Sequence, residues 1–148
     1  MHTLRGEELS RLVWKILQTA SRLIEAGNRL SAPFGLTSAR WQVMGAIARE
    51  PASVADVARR LSQARQGVQR LADEMVRDGL ATYHPNPKHA RAKLLAPTEQ
   101  GATAYRKLME QQAKWVEAMS ADMRLADIAG ARALLARLDA GMENSGRR

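Results

Sequence analysis

Apolar residues recur at three- and four-residue intervals from the start of the chain. Leu9, Leu12, Val13, Ile16, Leu17, Ala20, Leu23 and Ile24 fall on one face of a helix, which the spacing places from about Glu7 to Leu30. Ser31-Ala-Pro-Phe-Gly35 breaks that helix, and Thr37 suits the N-cap of a second one carrying Trp41, Met44 and Ile47 on one side until Glu50-Pro51 ends it. Ser53-Val-Ala-Asp56 has the spacing of a capping box and opens a short third helix through Val57, Ala58 and Leu61. Past Ser62-Gln63 a fourth apolar set, Val68, Leu71, Met75 and Val76, runs to Gly79, which suits a helix C-terminus. Two short helices joined by a tight turn are the parts of a helix-turn-helix.

The period then changes from helical to extended. Leu80-Ala-Thr-Tyr83 and Ala92-Lys-Leu-Leu95 flank a segment, His84 to Arg91, that contains two prolines, which predicts a β-hairpin with a long tip. Thr98 caps a further helix with the stripe Tyr105, Leu108, Met109, Gln112, Trp115, Val116 and Met119, and a last helix from about Leu125 bears Ile128, Leu134, Leu135 and Leu138. The predicted fold is mainly α with a small β-wing: a winged helix-turn-helix at 36–97 between an N-terminal helix at 1–35 and C-terminal helices at 98–148. A small winged helix does not need three long flanking helices with apolar stripes for its own core. Their surplus apolar surface calls for a partner, which points to a homodimer.

Composition narrows the class. With 148 residues, 45% of them apolar, the chain has enough apolar content for a real core. Its longest strongly apolar stretches, such as Leu12 to Leu17, are broken by charges well short of the roughly 20 residues that cross a bilayer. Arg5, Glu7, Glu8 and Arg11 interrupt any signal-peptide core, so a cytoplasmic protein without a membrane partner is expected. The absence of cysteine excludes disulfides, thiolate metal sites and thiol-based sensing. Neighbouring carboxylates such as Glu7-Glu8 and Asp73-Glu74 point about 100° apart on a helix. No nucleophile, base and orienting group come together, and His2, His84 and His89 are too scattered for a metal site. No enzyme activity, cofactor or metal is expected.

The net charge of +8, with a pI near 10.8, favours a polyanionic partner, and its placement says which. Between Asp56 and Asp73 there is no acid, while Arg59, Arg60, Arg65 and Arg70 fall on the third and fourth helices. Between Asp78 and Glu99 there is again none, while Lys88, Arg91 and Lys93 crowd the hairpin. Any one of these cations alone is an ordinary solvated side chain. Together, on a helix pair followed directly by a hairpin, they point to double-stranded DNA. A helix in the major groove needs donors at its exposed N-terminal end, a place held by Arg65, Gln66, Gln69 and Arg70. A glutamine amide pairs with adenine and an arginine fork with guanine, whereas lysine is a less directional phosphate binder. Arg91 near the hairpin tip is suited to a narrow minor groove.

Over Leu9 to Leu138 the chain resembles the MarR-type winged-helix regulators. The resemblance rests on Leu36-Thr37 followed by Trp41, on Val54 to Leu61, on Val68 to Leu80 with its Arg77-Asp-Gly-Leu80 exit, and on Thr98-Glu-Gln-Gly101 after the wing. It departs from the family at two places. Where the family's wing reads Asp-x-Arg-Asp-x-Arg, this chain has Asn86, Lys88, His89 and Arg91, so only the last arginine matches outright. Where the recognition helix often begins with a serine cap and a first-turn threonine, this chain has Ala64 and Gly67. Capping is then expected from Ser62 or Gln63, and base reading from Gln66, Gln69 and Arg70.

The resemblance implies a transcriptional regulator that dimerises through its first and last two helices and reads a near-palindromic operator, with recognition helices roughly 34 Å apart. It further implies a repressor released by a small aromatic or phenolic anion bound between the lobes. Trp14, Arg40 and Trp41 are the candidate lining of that pocket, although tryptophans at helical spacing also serve as core. The alternative is a constitutive architectural DNA binder without an effector.

Overall fold

The computed structural model describes residues 3–146, and His2 lies outside them. Helix α1 spans Leu4–Ser31 and starts before the expected Glu7, because Thr3 is extended and its Oγ1 accepts the Gly6 N–H at 3.2 Å. Much of its apolar stripe faces solvent: Leu9, Val13, Leu17, Leu23 and Ile24 are exposed, and Trp14 is 66% exposed. Its C-terminal end is tied down by side-chain bonds. There Asn28 Oδ1 accepts the Ser38 N–H at 2.8 Å, and the Ser38 hydroxyl donates to the Ile24 carbonyl at 2.7 Å.

A turn of 3₁₀ helix, Ala32–Phe34, leads to helix α2, Ser38–Ile47, which Thr37 caps by accepting the Arg40 N–H at 3.2 Å. Helix α3, Val54–Leu61, begins at the capping box read from the sequence. Ser53 Oγ accepts the Asp56 N–H at 3.2 Å and donates to Asp56 Oδ2 at 3.0 Å. Those bonds, with a further one from Arg59, hold the Asp56 carboxyl below its usual range. Helix α4, Arg65–Arg77, follows a turn in which Ser62 is left-handed, at φ 52°. Its inner residues Val68, Ala72 and Met75 pack with Val43, Met44 and Ile47 of α2, Val57 of α3, and with Leu95 and Leu108 in one buried cluster.

The sheet holds one strand more than the expected hairpin. Strand β1, Ala52–Ser53, β2, Ala81–His84, and β3, Leu94–Pro97, form an antiparallel sheet in the order β1-β3-β2. Tyr83 pairs with Leu95 and Ala81 with Pro97, while Ala52 and Ser53 pair with Leu95 and Leu94. β1 was missed because two residues carry no readable alternation. The hairpin strands sit one to two residues later than expected, for two reasons. Leu80 uses its N–H to close the end of α4 on the Met75 carbonyl, and Ala92 uses its own to close a turn on His89.

The chain divides into two compact units, Met1–Gln111 and Gln112–Arg148. Helix α5, Glu99–Ser120, runs across that boundary, and helix α6, Leu125–Ser145, lies wholly in the second unit. No residue of α6 is buried, and Leu125, Ile128, Leu134, Leu135 and Met142 are exposed apolar side chains. No helix among the described residues is long and apolar enough to cross a membrane.

Candidate nucleic-acid interface

Helix α4 has two unlike faces. With Val68, Ala72 and Met75 buried at i, i+4 and i+7, its period turns Arg65, Gln66, Gln69, Arg70 and Asp73 outward, and all five are exposed. Its first turn is open. Ala64 occupies the N-cap with no side-chain bond to the helix. The capping expected from Ser62 or Gln63 is not made: Ser62 is spent as the left-handed end of α3, and the Gln63 amide donates instead to Gln42 Oε1 at 3.0 Å. The N–H groups of the first turn therefore lack a side-chain acceptor, and the positive end of the helix dipole faces outward.

The rear of the same helix is closed on several sides. Gly79 takes φ 76°, a left-handed conformation that glycine adopts without a Cβ clash, and Leu80 donates to Met75 at 2.9 Å. Arg40 of α2, with its side chain 18% exposed, reaches Asp78 at 2.8 Å and Glu74 at 3.9 Å. It thereby offsets two acids placed at the unfavourable end of the helix dipole. Thr98 donates to the Gly79 carbonyl at 2.6 Å and accepts the Gly101 N–H at 3.0 Å, so one hydroxyl joins the exit of α4 to the start of α5. A Cβ at Gly101 would lie 1.9 Å from the Leu80 carbonyl oxygen, which explains the glycine of the Thr98-to-Gly101 motif.

The wing is joined to the outer face of α4 by a ring of three side chains. Tyr83 of β2 donates to Asp73 Oδ1 at 2.7 Å, and the Gln69 amide nitrogen lies 3.0 Å from both Asp73 Oδ1 and the Tyr83 hydroxyl oxygen. Burial, and then the Asp73 carboxylate that accepts its proton, push the Tyr83 hydroxyl up to about 12, so it remains a donor across the neutral range. The tip is two successive turns: Asn86 Oδ1 accepts the Lys88 N–H at 3.0 Å, and Asn86 and His89 carbonyls accept from His89 and Ala92. An Asx turn thus shapes the tip where the family pattern has an acid.

Recognition helix and wing enclose a cleft of about 220 Å³ with the start of α3 as its floor. Arg65 and Gln69 reach it from α4, Tyr83 from β2, and Arg91 and Lys93 from the wing. Gln66, Arg70 and Lys88 do not line it; each is exposed on the same two elements. Among the described residues, none of Arg65, Arg70, Lys88, Arg91 and Lys93 forms an ion pair. The arginines of α3 are otherwise engaged. Arg59 pairs with Asp56, and Arg60 donates to the Ala46 carbonyl at 2.8 Å, satisfying an acceptor at the end of α2.

Trp14, Arg40 and Trp41 are apart from this cleft. Trp14 is exposed on α1, Trp41 is half-buried against the core, and Arg40 is committed to the end of α4. Sequence reasoning missed the structural parts played by Tyr83, Asp73 and Arg40. One signal was present: Gln69 and Asp73 stand at i and i+4, the spacing of a surface side-chain pair.

The MarR family profile matches residues 34–92, a span that includes α2, α3, α4 and β2. Over that segment the chain is similar to the MarR family. Its members are transcription regulators, not enzymes, and this chain has their winged helix-turn-helix. An uncharacterized protein of Mycobacterium tuberculosis is 36% identical over 90% of this chain and 90% of its own length. The transcriptional activatory protein BadR of Rhodopseudomonas palustris is 34% identical over 64% of this chain and 57% of its own. Among solved structures, the MarR family transcription regulator SP03579 superposes with a TM-score of 0.83 at 16% identity, over 97% of this chain and 96% of that one. A mutant MarR of E. coli complexed with operator DNA has a TM-score of 0.75 at 22% identity, over 93% and 99%. CouR of Rhodococcus jostii RHA1, bound to p-coumaroyl-CoA, gives 0.75 at 18%, over 84% and 88%.

Proposed function

We propose that this regulator binds double-stranded DNA with α4 in the major groove and the wing over the flanking backbone and minor groove. The observation that carries the proposal is the set of exposed, unpaired cations converging from two elements, Arg65 and Arg70 on α4 and Lys88, Arg91 and Lys93 on the wing. Unpaired arginines and lysines exchange condensed counterions for phosphates, and an arginine aimed past the wing suits the minor groove. Gln66, Gln69 and Arg70 supply base contacts along the open front of the helix. The segments 1–35 and 98–148 act as dimerisation helices around the DNA-binding segment 36–97. The exposed apolar residues of α1 and α6 support that reading, since each helix presents a stripe that water does not favour. The dimer reads a near-palindrome at roughly one helical turn between half-sites.

Fluorescence anisotropy on duplexes selected from the upstream region of the gene tests this. Arg91→Ala should weaken binding about tenfold, with a shallower salt dependence and an unchanged melting temperature. Unchanged affinity would remove the wing from the interface.

Effector control is the second part of the proposal. A small aromatic anion shifts the spacing of the two recognition helices and so the affinity for the operator; the p-coumaroyl-CoA held by CouR supports an aromatic acid derivative as the class. Repression released by that ligand is the primary reading. BadR, named as an activatory protein, favours activation as the second. A transcription assay with and without the protein separates the two by sign.

A further inference from the structure

An acid stands on the outward side of α4. Asp73 is exposed with Arg65, Gln66, Gln69 and Arg70, where its charge would repel phosphates. It forms no ion pair among the described residues. Its side chain is engaged instead in the ring: Asp73 Oδ1 accepts the Tyr83 hydroxyl proton at 2.7 Å and lies 3.0 Å from the Gln69 amide nitrogen.

The Tyr83–Asp73 bond links two elements that must meet DNA together. β2 and β3 pair as far as His84 and Leu94, and residues 85–93 extend past this last rung. Lys88, Arg91 and Lys93 all lie in that extension and are exposed. The tip's own bonds are short-range: Asn86 accepts from Lys88 and His89, and His89 accepts from Ala92. They shape the tip without aiming it at α4. Tyr83 stands just before the last rung, opposite the fully buried Leu95, so its backbone is fixed against the core while its hydroxyl crosses to α4. Asp73 receives it from a helix whose inner face is pinned by buried Val68, Ala72 and Met75. The Tyr83 hydroxyl, pushed up to about 12, keeps its proton and so keeps the bond across the neutral range. Any tilt of the hairpin that this bond prevents would be greatest at the tip, where the cations are.

We infer, resting on the DNA interface proposed above, that Tyr83 and Asp73 are positioning residues for DNA binding. Their hydrogen bond sets the angle between wing and recognition helix, so that Arg91 reaches the duplex while α4 is seated in the groove. Neither side chain has to touch DNA for this. A tip that is already aimed avoids the ordering cost that a mobile one would meet on binding. The carboxylate is kept on this face, against its repulsion of phosphates, as the acceptor of that bond.

The test is anisotropy with the full-length protein on a duplex enriched from a random library, at a temperature well below the melting point of every variant. Asp73→Asn and Asp73→Ala both remove the charge, but only asparagine keeps an oxygen for Tyr83 to donate to. Asp73→Ala should therefore bind roughly two- to tenfold more weakly than Asp73→Asn, the range of one hydrogen bond. Tyr83→Phe should lose a similar factor from the wild type. Both losses should largely disappear in an Arg91→Ala background, because a wing without its arginine gains little from being aimed. A bond that only stabilised the fold would give the same factor in both backgrounds. Equal affinities of Asp73→Asn and Asp73→Ala would overturn the positioning role, as would losses that persist unchanged beside Arg91→Ala. Recovery of no enriched duplex by the wild type would instead reject the DNA interface itself, so the two failures are distinct.

Discussion

The two ends of helix α4 are built on opposite principles. Its rear is over-determined: Gly79 in the left-handed region, Arg40 on Asp78, Thr98 on the Gly79 carbonyl and Gly101 pressed on Leu80 all fix where the helix stops. Its front has no side-chain cap at Ala64, no neighbour within 4 Å of a Cβ placed on Gly67, and exposed Arg65 and Gln66. A helix anchored at one end and left open at the other keeps its orientation while its first-turn donors stay available to a ligand. That is the requirement of a reading element, a rigid axis whose outward groups remain free to meet a base.

The comparison can be broken most severely at Gly101. Gly101→Ala places a methyl against backbone that has no freedom to retreat, and should cost about 3 kcal/mol, the upper end of overpacking effects; urea denaturation reads it. A cost near zero would mean that the rear is not tightly closed. Thr98→Ala removes one hydroxyl that serves both the cap of α5 and the Gly79 carbonyl, and should cost about 1–2 kcal/mol in the same measurement. At the front the sign should reverse. Gly67→Ala adds a methyl into open space on a helix and should stabilise by about 0.5 kcal/mol. A destabilised variant would show that the front is more enclosed than its geometry indicates.

The smallest effect concerns the ring that joins the helix to the wing. Tyr83 is protonated and donating, and its folded-state value of about 12 lies above the ordinary 10.0. The stability it contributes is therefore fully present below pH 10 and lost as pH rises through its folded value, a window of about pH 10–12. Tyr83→Phe should flatten that part of the stability–pH curve, measured by chemical denaturation at fixed pH values; an unchanged slope would show that another group carries it.

How much of this was legible in the sequence depended on the range over which each signal acts. The four helices before the wing, the capping box at Ser53, the Thr37 and Thr98 caps and the Gly79 stop could all be read, because each is a local contest among residues within one or two turns. The acid-free basic segments were equally legible, since charge belongs to the residue and burial in an apolar core is too costly for an unpaired arginine. β1 escaped because a two-residue strand exists only through its partner, and the hairpin register moved because Leu80 and Ala92 spend their N–H groups elsewhere.

Side-chain assignments across long separations belonged to the tertiary structure alone. Arg40 stands nearly forty positions before Asp78 in the sequence, and no pattern says that its guanidinium closes a helix rather than awaiting a ligand. Sequence chemistry lists Gln69 as both donor and acceptor. The fold places Tyr83 and Asp73 against its nitrogen and leaves the oxygen free. The chain by itself determined which residues carry polar and charged groups and which helices carry them. Only packing decided which of those groups the protein uses up internally and which remain for DNA, because a hydrogen bond depends on a distance of about 3 Å that the order of residues does not contain.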